Sequence, residues 1–359
     1  MTGLFVTAAD FMDRFASRTG PWFASLLIGL TVILLASLTA APTLTATSQI
    51  GIFSIQLAAN PFDATPNPVA PRFLTPLLSW LLGLRGQGLI VLIGAICVLL
   101  PTAAARWALA QGFRTSDALL AAGVIGLTLL TRTSLHYAGV PDVTTYVLVF
   151  GIWVWRARPR LATLCFFLAL LNHERALFLL PWVAWLLWRE AGDDPHQRRT
   201  AMFGLLLAAV AWLALHLAIL HYRDVEQSLG YYLQPMTADP LANIRLAWPY
   251  QPLGLLSAFQ WVWLLPIGYG WNLMRRHDRA GLLMLALPVL CACVQMLFAY
   301  DSSRLAALAF PCLLPALDAG LRDGGPAFRR RLLLILLLQT VTPQVFTAMN
   351  IVEVLPTWL

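Results

Sequence analysis

Long apolar runs separated by short arginine-bearing segments are the strongest constraint in this sequence. Roughly ten of them approach the ~20 residues that a helix needs to cross the apolar core of a bilayer. Only 11% of the residues are charged, whereas about a quarter are charged in a soluble domain, so polar surface is too scarce to coat a globule in water. The sequence therefore predicts an all-α transmembrane bundle of roughly ten to eleven helices. We expect one domain over residues 1–359.

The predicted spans alternate along the whole chain. They are 21–41, 88–105, 117–131, 142–155, 161–188, 201–221, 253–272, 281–299, 305–320 and 332–350. The run 21–41 is long for the apolar core of a signal peptide, so we interpret it as a retained first helix.

The segment 161–188 is predicted to be a short split or re-entrant helix pair. Its flanking residues Arg160 and Arg189 both favour the same side of the membrane, which requires an even number of crossings. The polar run 172–175 marks the break, because lipid cannot satisfy polar groups at membrane depth. One continuous helix with a buried polar patch is the alternative.

The placement of the arginines predicts the orientation of the chain. All 24 basic residues are arginine, and 17 of them fall in the alternate loops that lie on the same side as the N-terminus. The positive-inside rule then places the N-terminus in the cytoplasm. Because topology already explains these clusters, nucleic acid is excluded as a partner. The five cysteines all lie in apolar runs without Cys/His spacing typical of zinc sites.

Two outward loops follow from this topology, 42–87 and 223–252. The first carries Asp63 in a proline-rich segment, and the stretch 72–84 after it is predicted to be an interfacial helix that begins at Arg72. Asp63 is either a functional carboxylate or a solvated loop acid, and Arg72 either binds a ligand or anchors the helix at the membrane surface.

Further polar residues collect on the same side. Asp142 directly follows Pro141 at a predicted helix start, where a carboxylate also stabilises the helix dipole. His136, in the loop before it, is either a ligand or an interface residue. His173 and Glu174 lie at the predicted break, where Glu174 either acts on a substrate or pairs with Arg175 or Arg304.

Asp301 and Arg304 lie in a very short outward turn. Either Asp301 caps the following helix and pairs with Arg304, or Arg304 reaches inward to hold an anion. A guanidinium fits phosphate oxygens in a two-pronged manner, so this arginine suits a lipid phosphate.

With these features the chain resembles bacterial polytopic membrane glycosyltransferases of the GT-C class, which take a sugar from a polyprenyl-phosphate donor. The resemblance rests on Asp63 in the first outward loop, the segment Arg72-Phe73-Leu74-Thr75-Pro76-Leu77-Leu78, the helix start Gly139-Val140-Pro141-Asp142 and the run Asn172-His173-Glu174-Arg175-Ala176-Leu177. In that class the first-loop acid is typically the catalytic base, which implies that role for Asp63.

The resemblance implies an inverting transfer to an envelope glycan or lipid acceptor on the outer face of the bacterial cytoplasmic membrane. The catalytic candidates are Asp63, Asp142 and Glu174. The substrate-binding candidates are Arg72, His136, His173, Arg175, Asp301 and Arg304. The expected partners are membrane lipid, the lipid-linked sugar and the acceptor. No cofactor is firmly predicted, and a divalent metal stays open because no cluster of oxygen ligands is evident.

Two other classes compete with the transferase. A transporter or flippase for lipid-linked sugars also uses broken helices and intramembrane charges, although no inverted repeat is evident. A non-catalytic subunit of a polysaccharide assembly complex would pair its polar residues with one another. The transferase requires Asp63, Asp142, Glu174 and Arg304 to converge on one outward cavity.

Overall fold

The structure is a computed structural model that describes residues 13–14, 17–225, 248–297, 301–348 and 351–357. These residues form a mostly helical fold with one small two-stranded sheet. The helical class predicted from the apolar runs is therefore confirmed. Most of the predicted outward loop 223–252 lies outside the described residues.

Between Pro21 and Glu190 the structure describes nine α-helices. They are α1 (Pro21–Leu38), α2 (Gln49–Ala59), α3 (Leu74–Leu81), α4 (Gly88–Ala110), α5 (Thr115–Gly126), α6 (Leu129–His136), α7 (Asp142–Val154), α8 (Pro159–Asn172) and, after a 3₁₀ turn at Glu174–Leu179, α9 (Leu180–Glu190). Helices α2 and α3 lie within the predicted first outward loop, and α3 falls inside the stretch predicted to be interfacial.

The second half continues with helices and ends in a hairpin. Its described elements are α10 (Pro195–Tyr222), α11 (Gln251–Phe259) between 3₁₀ turns at Trp248–Tyr250 and Gln260–Trp263, α12 (Leu264–Arg275), α13 (Arg279–Met296), α14 (Ser302–Ala307), a 3₁₀ turn at Phe310–Cys312, α15 (Leu313–Asp323), α16 (Gly325–Val341), β1 (Val345–Ala348) and β2 (Ile351–Val354).

Six helical segments of the described chain are long and apolar enough to cross a membrane, or seven if the bent pair α5 and α6 forms one span. They are Pro21–Leu38, Gly88–Ala110, Pro195–Tyr222, Trp248–Arg275, Arg279–Met296 and Ser302–Asp323. The roughly ten to eleven helices predicted to span the membrane are not confirmed. Helices α7 and α8 are apolar but have only 13 and 14 residues. The apolar helices indicate a multi-pass membrane protein.

The segment predicted to split does break after Asn172, so a single continuous helix is excluded. His173 has an extended backbone with φ −157° and ψ 120°, far from helical values. The next α-helix begins only at Leu180, with Pro181 in its first turn. The break leaves His173 and the two residues after it between two apolar helices.

Polar contacts identify the two ends of the bundle. Helix α7 begins at Asp142, which pairs with Arg304, and Arg156 just beyond its other end pairs with Glu190 at 3.4 Å. On the same side as Arg156, Arg329 pairs with Asp117 at 2.6 Å. We call the end with the Asp142–Arg304 pair the Asp142 end. The end with the Arg156–Glu190 and Arg329–Asp117 pairs is the arginine-rich end.

Close helix approaches hold α1, α4 and α5 together. A Cβ atom added to Gly29 of α1 would overlap the Thr102 hydroxyl of α4, and one added to Gly126 of α5 would overlap the Val32 side chain of α1. Small residues at such crossings let helix backbones approach closely, which is the main source of packing between apolar helices in lipid. These three helices form a tightly packed wall.

The C-terminal hairpin packs on the Asp142 end. Strands β1 and β2 are antiparallel, with Val345 opposite Val354. The Ser303 hydroxyl accepts a hydrogen bond of 2.8 Å from the backbone N–H of Thr347. The Tyr137 hydroxyl donates to Glu353 over 2.6 Å. The hairpin is thus fixed to α14 and to the loop that precedes α7.

Candidate active site

A buried ion pair joins the start of α7 to α14. The Nε of Arg304 donates to Oδ2 of Asp142 over 2.7 Å, and its Nη1 donates to Oδ2 of Asp301 over the same distance. Only 6% of the Arg304 side chain and 7% of the Asp142 side chain are exposed. Arg304 thus pairs with Asp301, as one of the two alternatives from the sequence had it, although Asp301 does not cap α14; Arg304 also reaches inward, where its partner is Asp142.

A second ion pair joins the segment before α3 to the break after α8. Arg72 donates to both carboxylate oxygens of Glu174, from Nε over 3.2 Å and from Nη2 over 2.8 Å. This forked geometry is the strongest that an arginine makes with a carboxylate. The partner of Glu174 is thus Arg72, instead of the Arg175 or Arg304 considered from the sequence. The Glu174 side chain keeps 36% of its surface exposed.

His173 lies between the two ion pairs. Its Nδ1 accepts a hydrogen bond of 3.3 Å from the backbone N–H of Arg175, which assigns the proton of a neutral ring to Nε2. Nε2 faces Oδ1 of Asp142 at 3.6 Å, and Nδ1 is 3.3 Å from Oε2 of Glu174. Neither His173 Nε2 nor Asp142 Oδ1 has a hydrogen-bond partner in the described chain, although both are buried. His173 therefore lies between the two carboxylates, with its Nε2 proton directed at Asp142 and an Nδ1 that accepts from the backbone and cannot donate to Glu174.

A cavity of about 10 Å³ opens beside this cluster, with room for about one water molecule. Its lining residues are Asp142, Thr145, Tyr146, His173, Arg175, Arg304 and Leu308. The guanidinium of Arg175 makes no hydrogen bond or ion pair with any described residue. Arg175 thus presents guanidinium donors at the wall of the cavity that bond to no described residue, within electrostatic reach of Asp142 and Asp301.

The side-chain amide of Asn172, at the end of α8, links α8 to α3 and α7. Asn172 Nδ2 donates to the Pro141 carbonyl over 2.9 Å and to the Thr145 hydroxyl over 2.8 Å. The Thr75 hydroxyl contacts both Asn172 Oδ1 and, at 2.8 Å, the Thr144 hydroxyl. This network fixes α3, α7 and α8 around the start of α7 and so determines where Asp142 lies. From the sequence, Asn172 was assigned only to the break.

Asp63 lies at the same end of the bundle but outside the cavity lining. Its carboxylate is fully exposed and accepts from the Thr65 backbone N–H over 3.1 Å and from the Thr65 hydroxyl over 2.9 Å. These two hydrogen bonds lower the pKa of Asp63 below its ordinary value, so the carboxylate stays ionised. Asp63 makes no ion pair with a described residue.

The Asp63 loop is fixed on both sides. Arg223 at the end of α10 donates to the carbonyls of Pro61 over 2.8 Å and Thr65 over 3.2 Å. Phe62 packs edge-on against Phe73, with ring centroids 6.2 Å apart, and Phe73 follows Arg72 in the chain. The loop thereby adjoins the segment that carries the Arg72–Glu174 pair.

The structure places His136 away from the cavity. Its Nδ1 is 3.1 Å from the carbonyl of Ala41, and its ring packs edge-on against Tyr137. His136 therefore joins the start of the first outward loop to the end of α6. Thr145 and Tyr146 also line the cavity, although the sequence alone assigns no role to them. The sequence feature that could have indicated them is their position on the same helix, three and four residues after Asp142.

The described residues contain no group of three or more His, Cys, Asp or Glu side chains placed to hold a metal ion. Comparison with known protein families, with curated protein sequences and with solved structures found no significant match.

A close backbone approach positions the turn before Asp142. Gly139 has φ +87°, and a Cβ added there would lie 2.9 Å from the carbonyl oxygen of Gly51 in α2. Gly139→Ala is therefore expected to lower stability by about 1–2 kcal/mol from the left-handed backbone alone, with more from this contact. A lower midpoint of thermal unfolding in detergent would measure it.

Gly83 provides the matched control for this substitution. It has φ +76° but open space around its Cβ position, so Gly83→Ala incurs only the backbone strain. If Gly83→Ala and Gly139→Ala lower the unfolding midpoint equally, the contact between Gly51 and Gly139 does not hold the turn.

Proposed function

We propose that this protein is a membrane glycosyltransferase that transfers a sugar from a polyprenyl-phosphate donor to an envelope glycan or lipid acceptor, with inversion at the anomeric carbon. The observation that carries the proposal is the convergence of Asp142, His173, Arg175 and Arg304 on one cavity at a single end of the bundle. Of the four residues whose convergence the transferase requires, Asp142 and Arg304 line this cavity, whereas Asp63 and Glu174 do not. The resemblance of the same segments to the GT-C class adds to it. The proposal places this end on the outer face of the bacterial cytoplasmic membrane.

Arg175 is the proposed ligand of the donor phosphate. Arg72 pairs with Glu174, and Arg304 pairs with both Asp142 and Asp301, so with Arg175 three arginines and three carboxylates balance in charge. The Arg175 guanidinium nevertheless bonds directly to no carboxylate of the described residues. A guanidinium binds phosphate oxygens through two parallel hydrogen bonds. A lipid phosphate would accept hydrogen bonds from the Arg175 donors that no described residue uses, and its chain would lie among the apolar helices.

The reaction is a single displacement. The acceptor hydroxyl oxygen attacks the anomeric carbon, and the bond from this carbon to the phosphate oxygen breaks with its electron pair on the phosphate. The hydroxyl proton moves to a carboxylate base, and a guanidinium stabilises the negative charge that builds up on the departing phosphate. Arg175 would stabilise this charge from the wall of the cavity.

Asp63 is the proposed base, as the resemblance implies. Its carboxylate is ionised, exposed to an acceptor that arrives from water and free of ion pairs in the described chain. Asp142 and Glu174 are instead held by arginines, which favours a positioning role for both. Asp142 is the second candidate base, because its Oδ1 is unbonded beside the cavity.

A cavity of about 10 Å³ is too small for a sugar, so catalysis requires a wider state of this end. The elements around it are joined mainly by ion pairs and hydrogen bonds, and a phosphate would compete for the same guanidinium groups. Donor binding would therefore have to open the cavity towards the Asp63 loop, which Arg223 and Phe73 hold beside the Arg72–Glu174 pair.

The proposal is tested by sugar transfer in proteoliposomes that contain the full chain. A panel of polyprenyl-phosphate and polyprenyl-diphosphate sugars is offered together with envelope acceptors, and the glycosylated product is measured. Turnover with one donor supports the transferase. If folded protein turns over none of the panel, the proposal is wrong.

Arg175→Gln is expected to lower kcat/KM for the lipid-linked donor by about 10- to 100-fold, the range for the loss of one charge-assisted hydrogen bond. Arg85→Gln is the matched control, since Arg85 stacks on Trp80 at 5.3 Å and does not line the cavity. Equal kcat/KM values for Arg175→Gln and the unmodified protein would remove Arg175 from the donor site.

Transport of a lipid-linked sugar is the second candidate function. The observation that favours it is the helix break that places Arg175, without a partner in the described chain, between two apolar helices. Flux of labelled lipid-linked sugar across the same proteoliposomes, in the absence of an acceptor, would distinguish transport from transfer.

A further inference from the structure

A groove of about 310 Å³ lies at the arginine-rich end, between α12, α15 and α16. It runs along α12 from Leu264 to Arg276, a distance of about 18 Å at the helical rise of 1.5 Å per residue. Leu264 and Ile335 line its inner stretch, whereas the exposed Arg276 and Arg331 lie nearer the arginine-rich end along α12 and α16, and we call that end of the groove its mouth. The groove is thus apolar towards the middle of the bundle and cationic at the end.

The two arginines at the mouth are not neutralised by the described chain. Arg276 and Arg331 make no ion pair or hydrogen bond there, whereas Arg322 and Arg329 at the same end pair with acids at 2.9 Å and 2.6 Å. One carboxylate, Asp323, also lines the groove. Among the lining residues, two guanidinium groups against one carboxylate leave one positive charge, which complements a single phosphodiester. Behind the lining, Asp278 and Arg189 near Tyr269 offset each other, and Asp318 pairs with Arg322, so this net charge remains.

The start of α16 adds to this positive potential. Helix α16 begins at Gly325 without a side-chain cap, and Gly324 before it lines the groove. The uncapped N–H groups of a first helical turn favour a nearby anion.

We propose that this groove binds one anionic phospholipid of the bilayer, with its phosphodiester between Arg276 and Arg331 and an acyl chain along α12 and α16. The charge at the mouth selects the headgroup, and the apolar length suits a chain better than it suits a soluble anion. Basic pockets between membrane helices bind anionic lipids in this manner. The site is independent of the proposed transferase, which lies at the other end of the bundle.

The charge requirement is tested by native mass spectrometry of the full chain in detergent, titrated with phosphatidylglycerol or with phosphatidylcholine of the same acyl chains. We expect the unmodified protein to prefer phosphatidylglycerol. The double variant Arg276→Gln and Arg331→Gln is expected to bind it about tenfold more weakly or worse. The matched control is Arg279→Gln with Arg330→Gln, which removes two charges outside the groove and should retain the preference.

A second test asks whether the lipid chain needs the open groove, and it leaves all arginines in place. A Cβ at Gly268, in the groove wall, would meet no atom within 4 Å, so Gly268→Leu should fill the groove without a clash and weaken binding of both lipids. Gly94→Leu in α4 is the control, because Gly94 has the same open surroundings elsewhere. Equal binding of the two lipids by the unmodified protein overturns the proposal. The proposal is also overturned if either control variant loses as much lipid binding as the variant that it is matched to. Binding of both lipids by Gly268→Leu at the level of the unmodified protein overturns it as well.

Discussion

Replacing Asp63 with asparagine is expected to lower the rate of sugar transfer by about 10²- to 10⁴-fold, the range typical for the loss of a general base. The amide of this variant cannot take up the proton of the acceptor hydroxyl. The fold should be unaffected, because the side chain is fully exposed and an amide oxygen can still accept the Thr65 hydrogen bonds. Product formation in proteoliposomes measures the rate, and thermal unfolding in detergent checks the fold.

Asp224→Asn is the control for this variant. Asp224 is also an exposed acid close to the loop that α10 holds, and asparagine tolerates its positive φ of 49°. Unchanged transfer in Asp224→Asn, with transfer lost in Asp63→Asn, would identify Asp63 as the base. Full activity of Asp63→Asn would exclude it and make Asp142→Asn the decisive variant.

The helical class and the helix break were predictable because both depend on local composition. Apolar runs of membrane length require helices, since lipid offers no partner for backbone groups. Arg160 and Arg189 both favour one side of a membrane, which indicated the break that the structure has after Asn172. The number of full crossings was not predictable, because α7 and α8 are apolar yet shorter than a crossing.

The contacts inside the site were not predictable from one sequence. Glu174 pairs with Arg72, 102 positions earlier, and Asp142 pairs with Arg304, 162 positions later. Lipid and protein interior are both apolar, so the periodicity of a membrane helix gives little indication of which face turns inward. The sequence therefore placed these charges at one end of the bundle but left their partners open.

Arg304→Gln is expected to lower the free energy of unfolding by about 3–5 kcal/mol, the usual loss when one partner of a buried ion pair is removed. Asp142 would remain in a site where only 7% of its side chain is exposed, with its hydrogen-bonded guanidinium removed and only the more distant Arg175 left to offset its charge. Denaturant titration of the purified chain in detergent micelles measures this loss, and the result does not depend on any enzymatic activity.

The Arg72–Glu174 pair provides an internal comparison for Arg304→Gln. Glu174 keeps 36% of its side chain exposed, so water can solvate its carboxylate when the Arg72 guanidinium is removed. Arg72→Gln should therefore lower the free energy of unfolding by only about 1 kcal/mol or less. Adding Asp142→Asn to Arg304→Gln should recover part of the larger loss, because no uncompensated carboxylate then stays buried at the start of α7. Equal losses in Arg304→Gln and Arg72→Gln, or no recovery in the double variant, would mean that the buried charge on Asp142 does not dominate the stability of this end of the bundle.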